Sequence, residues 1–176
     1  MNDDALERLF KLYHEPLVRY LTRRLGDRDW AEEVAQETFL RALRQDVLTS
    51  ERSWLFAVAT NLVRDDARKE ARRRHHLQLL ADEERGRVVE PDTTSVDNAH
   101  ERALARRAVD GLAEKDRLAL LMREEGLNYT EIADALQLSV GSVGTTLARA
   151  RRRLTESYEA LQQHDSRRDG GLHGAS

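Results

Sequence analysis

Residues 128–154 read NYTEIADALQLSVGSVGTTLARARRRL, a short amphipathic stretch, a tight turn, and a second amphipathic stretch that opens with small residues and closes with arginines. This pattern predicts a helix-turn-helix. Asn128 is placed to cap a first helix, with Glu131 three residues later completing a capping box, and Ile132, Ala133 and Leu136 share one apolar face. Leu138 marks the turn. Ser139 can cap a second helix in which Val140, Val143 and Leu147 recur at helical spacing, while Ser142, Thr145, Thr146 and Arg149 point elsewhere. Small polar residues at the front of a helix let it approach base edges in a major groove, and Arg149, Arg151, Arg152 and Arg153 behind them suit phosphates. An ordinary helical hairpin with a solvated basic end shares part of this pattern. The basic cluster follows the candidate reading helix directly, which favours DNA.

The remaining sequence is helical in character. Apolar positions recur at three or four residues without sustained alternation, and only Pro16 and Pro91 interrupt them, so an all-α chain with no sheet is expected. Its 176 residues suffice for one domain or two small ones. The absence of cysteine excludes disulfides, thiolate zinc sites and cysteine nucleophiles. No apolar run approaches the roughly 20 residues of a membrane span. The start, MNDDALERLF, does not read as a signal peptide, so a soluble, cytoplasmic protein is expected. Net charge is −3, which argues against a protein that coats DNA nonspecifically, yet the charges are segregated: 64–74 and 149–153 are basic, 27–37 and 82–101 acidic. Two basic surfaces separated by acidic ones point to two DNA contacts and a different partner. Arginine far outnumbers lysine, which suits bidentate phosphate binding.

Two helical blocks joined by a flexible linker emerge from the pattern, at residues 1–76 and 101–162, with a linker over 77–100 and a disordered tail over 163–176. In the first block Leu6, Leu9, Phe10, Tyr13, Leu17, Leu21 and Leu25 trace one stripe, with Pro16 expected to split it into two helices and Gly26 to end the second. Asp29 with Glu32 reads as another capping box. The helix it opens places Trp30, Val34, Ala35, Phe39, Ala42 and Leu43 inward and leaves Glu33, Gln36, Glu37 and Arg41 outside. After a loop over 45–50, a long helix starting near 50–53 buries Leu55, Val58, Ala59, Leu62 and Val63 and carries Asn61, Arg64, Arg68 and Lys69 on its polar face. The second block opens with Leu104, Ala108, Val109 and Leu112, followed by a helix over 114–125 that ends at Gly126. His75 and His76 are adjacent rather than four apart, and the other histidines are scattered, so no metal site is expected.

Taken together, AEEVAQETFLRALR and SWLFAVATNLVRDDARKEARRR resemble region 2 of bacterial sigma factors, and residues 111–154 resemble region 4. Their order, with no region 3 between them, resembles the extracytoplasmic function branch of the sigma-70 family. The resemblance implies a promoter-specificity subunit of RNA polymerase without catalytic residues or cofactor. It implies as partners core RNA polymerase, through the β′ clamp helices and the β flap, promoter DNA, and an anti-sigma factor. Membrane insertion is not expected.

By the same resemblance, Glu33, Gln36, Glu37 and Arg41 fall where the family docks on core polymerase, an acidic row meeting a basic partner. Asn61, Arg64, Arg68 and Lys69 fall where it engages the minus-ten element and captures a flipped base. Trp54 and Phe56 can stack on bases, although burial suits both. Ser142, Thr145, Thr146, Arg149 and Arg152 fall on the helix that reads the minus-thirty-five element. There the family has VGTVRSR, whereas this chain has VGSVGTT, placing Gly144 and Thr146 at the two arginine positions and Gln137 at a turn position where glycine is frequent. An altered upstream sequence, or a shift of contact toward Ser142, Thr145, Arg149 and Arg152, follows. The rival reading is a stand-alone helix-turn-helix transcriptional regulator, which leaves the first block and its acidic face unexplained.

Overall fold

The computed structural model describes residues 1–78 and 96–170, with side chains over 1–72 and 98–169. Among these residues there are seven helices and no strand: α1 Asp3–Leu25, α2 Arg28–Leu43, α3 Glu51–Gln78, α4 Val96–Asp110, α5 Glu114–Glu124, α6 Tyr129–Leu136 and α7 Val140–Gly170. They form two compact units. One contains α1 to α3 together with Leu121–Leu138; the other contains α4, the first part of α5, and α7.

In the first unit, α1 starts at Asn2, whose side chain accepts from the Ala5 amide at 2.9 Å, and ends at Gly26 in the left-handed conformation, φ 73°. Pro16 does not divide it. Proline removes one backbone donor and crowds the carbonyl four residues back, but Leu9, Leu17, Val18, Tyr20, Leu21 and Leu25 are buried along one stripe on both sides of it, so packing holds the helix continuous. Phe10 lies at the margin of that stripe and stays 45% exposed, its ring against His14 at 4.2 Å and Phe39 at 5.1 Å. The cap of α2 is Asp27 rather than Asp29: its side chain accepts from the Trp30 amide at 3.1 Å, because the left-handed turn at Gly26 delivers Asp27 in extended geometry. Glu32, freed from capping, takes His14 at 3.1 Å. Val34, Ala35, Phe39 and Ala42 are buried as expected, but Leu43, at the last turn, is 40% exposed.

Against these two helices α3 buries Leu55, Phe56, Ala59, Thr60, Leu62 and Val63. Tyr20 and Thr60, both fully buried, share a hydrogen bond of 2.8 Å, and the Phe56 ring lies 5.0 Å from that of Tyr20. Arg8 donates through both terminal nitrogens to Glu51 in the first turn of α3. The segment Leu121–Leu138 packs on this unit through α6 against α3, and charged pairs join it to α1 and α3. Glu125 accepts from Arg19 at 3.0 Å and Arg23 at 3.3 Å, and Arg52 donates to the Gly126 carbonyl at 2.8 Å while lying 3.3 Å from Glu131. The capping box at the start of α6 is present as expected, with Glu131 amide to Asn128 at 2.8 Å and Asn128 amide to Glu131 at 3.1 Å. Gln137 ends α6 in the left-handed region, φ 56°.

In the second unit Leu112, Leu120 and Ala150 form an apolar cluster with Leu154 against it, and α4 packs along α7. A second fixture is polar: Asp116, fully buried, accepts from Arg149 and Arg153 of α7. The chain around the linker is more helical than composition indicated. Residues 77–78 complete α3 and 96–100 open α4, while 79–95 lie outside the described residues. Likewise the tail begins as helix, since α7 runs through residues 163–170, with His100 against Asp165 at 3.1 Å; 171–176 lie outside the described residues. Extending an existing helix needs only one hydrogen bond per residue and no new nucleus, so a polar sequence without an apolar face can still continue it.

Two stability measurements follow from these features. Gln137→Gly removes the left-handed penalty of a β-carbon and is expected to stabilise the protein by up to about 1 kcal/mol, read as a raised denaturant midpoint. The second concerns Asp116. Hydrogen bonding from Arg149 holds its carboxyl below the ordinary value of 3.8, against the upward push of burial and with help from the charges of Arg149, Arg153 and Lys115. The folded state therefore binds this proton less tightly than the unfolded state, so the stabilisation is complete above about pH 5 and is lost as pH falls through the ordinary value toward the lower folded one. Asp116→Asn should lower the urea midpoint at pH 7, and the gap to the wild-type chain should narrow by pH 3.

Candidate nucleic-acid interface

On α2, residues 33, 36, 37, 40 and 41 share one face at i, i+3, i+4, i+7 and i+8 spacing. Glu33, Gln36 and Arg41 are exposed and Glu37 half-buried, with Arg41 Nε donating to Glu37 Oε1 at 2.8 Å. An i,i+4 pair of this kind is worth a few tenths of a kcal/mol; its larger effect is to set the direction of both side chains. Leu40 is 54% exposed on the same face, followed by Leu43 and by Val47 at 77%. Sequence reasoning passed over this apolar extension, although Leu40 sits at the same helical spacing as the charges.

On α3 the polar face carries Asn61, Arg64, Arg68 and Lys69 at i, i+3, i+7 and i+8. Asn61, Arg68 and Lys69 are exposed, while Arg64 is half-buried with Nη1 donating to Asn61 Oδ1 at 3.4 Å. Arg68 stands 3.9 Å from Asp65, an exposed pair of little energetic weight. Arg24 of α1, which periodicity alone did not single out, donates to the Thr60 carbonyl at 3.1 Å and so joins this face beside Asn61. Burial pushes the Tyr20 hydroxyl up, opposed by the charge of Arg24, the hydrogen bond with Thr60 and the charge of Arg64. Phe56 belongs to the core and Trp54 is half-buried, in line with burial rather than stacking. Beside the start of α3 lies a cavity of about 320 Å³ lined by Tyr13, Leu48, Thr49, Ser50, Ser53 and Glu131. Ser53 Oγ is buried there without a hydrogen-bond partner.

On α7 the expected reading residues divide. Thr145 and Arg152 are exposed and Ser142 is half-buried, its hydroxyl donating to the Ser139 carbonyl at 2.8 Å. Thr146 instead turns inward. It is 4% exposed and its hydroxyl donates to the Ser142 carbonyl at 2.8 Å, the local back-bonding open to a threonine in a helix. Val140, expected in the apolar stripe, is half exposed at the first helical position, whereas Val143 and Leu147 are fully buried. A β-carbon built on Gly141 meets nothing within 4 Å, so the front of the helix is open to close approach. Arg149 is engaged by Asp116 through Nε at 3.1 Å and Nη2 at 2.5 Å. Asp116 escaped sequence reasoning because a pair separated by 33 residues leaves no periodic trace. Two of the three residue sets lie in the first unit, on α2 and α3, and the third in the second unit, on α7.

Among the described residues no group of three or more His, Asp or Glu could hold a metal ion, and no helix is long and apolar enough to cross a membrane.

Residues 9–73 match the family model described as Sigma-70 region 2, and residues 95–154 that of Sigma-70, region 4. The chain is 32% identical over 150 residues to the ferric citrate uptake sigma factor FecI of Escherichia coli (strain K12), covering 83% of this chain and 86% of that one. It is 25% identical over 170 residues to the ECF RNA polymerase sigma factor SigX of Bacillus subtilis (strain 168), covering 92% and 87% of the two chains. Two solved structures share the fold: the sigma factor RpoE in complex with the anti-sigma factor NepR from Bartonella quintana, and CnrH in complex with the cytosolic domain of CnrY. The first has a TM-score of 0.65 at 20% identity over 87% of this chain and 96% of that one; the second has 0.63 at 22% over 90% of each. With both regions matched in order, and a relative of this similarity spanning most of both chains, the chain belongs to the sigma-70 family, in its extracytoplasmic function branch, as a promoter-specificity subunit of RNA polymerase.

Proposed function

We propose that the three polar faces divide the work of promoter recognition. The α2 face of Glu33, Gln36, Glu37 and Arg41 docks on the β′ clamp helices of core polymerase. Asn61, Arg64, Arg68 and Lys69 of α3 engage the minus-ten element, and Ser142, Thr145, Arg149 and Arg152 of α7 read the minus-thirty-five element. Residues 1–76 and 101–162 serve as the two functional regions, 77–100 as their tether, and the second region also meets the β flap. The protein acts in the cytoplasm, catalyses no reaction and needs no cofactor. An anti-sigma factor is a further partner, in keeping with the complexes in which the two solved neighbours were seen.

The observation that carries this reading is the coexistence of an outward acidic face with cation-bearing faces on two other helices. An acidic row is repelled by DNA and attracted by a basic protein surface, so these faces suit different partners. On α3, a flipped base needs both a recess and backbone cations to recover the few kcal/mol of unstacking. The cavity beside Ser53 and the row from Asn61 to Lys69 supply candidates for each. On α7, the inward Thr146 leaves Ser142, Thr145, Arg149 and Arg152 to face the groove.

Reversing the acidic row tests the first assignment. Glu33→Lys with Glu37→Lys should weaken binding to core polymerase at least tenfold while the circular dichroism spectrum stays unchanged, and normal binding overturns the interface. Arg149→Ala should reduce the upstream footprint and closed-complex affinity with little effect on a template whose downstream element is already melted. Asn61→Ala should instead impair opening, read as permanganate reactivity of unpaired thymines, with the upstream footprint largely intact. Equal loss of both signals in both variants rules out separate roles.

A further inference from the structure

Across its first ten residues, 140–149, α7 carries a single charged side chain, Arg149. It is therefore the sole cation that the front of this helix offers to a base edge, and it is unusually constrained. Asp116 of α5 is fully buried and approaches the side of the guanidinium: Nε lies 3.2 and 3.1 Å from its two oxygens and Nη2 2.5 Å from one of them. Arg153, one turn further on, donates to the same carboxylate at 3.3 Å. The Arg149 side chain nonetheless remains 36% exposed. Because the carboxylate takes the Nε and Nη2 edge, the donors directed away from it are the two N–H of Nη1 and the second N–H of Nη2.

We infer that Asp116 is a positioning residue for promoter reading, fixing the Arg149 guanidinium so that its outward edge acts as a base reader rather than as a mobile phosphate cation. The inference rests on the assignment of α7 to the minus-thirty-five element. Two physical effects lead to it. A guanidinium held at the planar fork by a buried carboxylate has already lost the rotamer freedom that an exposed arginine loses only on binding. In addition, the adjacent negative charge offsets much of the long-range attraction of Arg149 for phosphate while leaving its short-range hydrogen-bond geometry intact. Arg151 and Arg152, exposed behind it, remain suited to phosphates. A fixed donor discriminates between bases; a mobile cation does not.

The test uses the full chain assembled with core polymerase and a duplex library in which the upstream element is randomised next to a fixed, fully double-stranded downstream element, with closed complexes selected. Wild-type holoenzyme should enrich a sequence in which one or two base positions lose their preference in Arg149→Ala. Asp116→Asn and Asp116→Ala should lose preference at those same positions by about tenfold, the size of one arginine–base contact, and keep it elsewhere, which also shows that the unit is folded. Combining Asp116→Asn with Arg149→Ala should add no further loss. Arg153→Ala, which leaves the Asp116–Arg149 pair intact, should keep the preference. Uniform weakening across all sequences in the Asp116 variants, with the Arg149-dependent preference retained, overturns the positioning role while leaving the α7 assignment standing. If Arg149→Ala itself alters no preference, the α7 reading assignment of Arg149 fails, and the positioning role fails with it.

Discussion

Tyr20 is the point on which the first unit turns. Its ring fills the space between α1 and α3 against Phe56, and its hydroxyl meets Thr60 at 2.8 Å with neither residue reached by solvent. A buried hydroxyl without a partner is costly, so this bond admits one register of α1 on α3 and rejects neighbouring ones. Everything polar nearby inherits that register. Arg24, one turn beyond Tyr20, reaches the Thr60 carbonyl, and Asn61 and Arg64 emerge beside it. Apolar contact supplies more of the energy, and the hydrogen bond adds a penalty to any register that leaves the two buried hydroxyls unpaired.

A common device operates on the three polar faces. In each, a charged side chain is steered by a nearby partner: Arg41 by Glu37 on α2, Arg64 by Asn61 on α3, and Arg149 by Asp116 on α7. The first two are exposed or half-exposed and contribute little to stability. The third differs because its acceptor is buried, so the ion pair both anchors α7 to α5 and presents a guanidinium edge outward. Where a donor points, as well as its charge, decides which partner a polar face can accept.

Local chemistry was readable wherever its partners are close in sequence. The capping box of Asn128 and Glu131 follows from residues three apart, and the amphipathic faces of α1, α2, α3 and α6 from apolar recurrence within a few turns. Failures came where competing local signals needed outside arbitration. Asp27 and Asp29 are both credible caps, and the left-handed turn at Gly26 decides for Asp27. Pro16 is a credible break, and burial on both sides of it overrides the loss of one donor. The polar stretch after residue 162 carries no apolar face, yet its first part continues a helix already nucleated upstream.

From the sequence alone came an all-α chain of two sigma-like regions, the helix-turn-helix with its capped first helix, and the faces on which the charges lie, because each depends on periodicity and short-range hydrogen bonding. Tertiary structure alone decided which of those charges are steered and which residues turn inward. Asp116 reaches Arg149 across 33 residues, Thr146 faces the interior while Thr145 faces out, and Leu121–Leu138 joins the first unit through Glu125, Arg52 and Glu131. Such pairings depend on how whole helices stack, and burial strengthens them by removing the competing water, a condition that no spacing rule records.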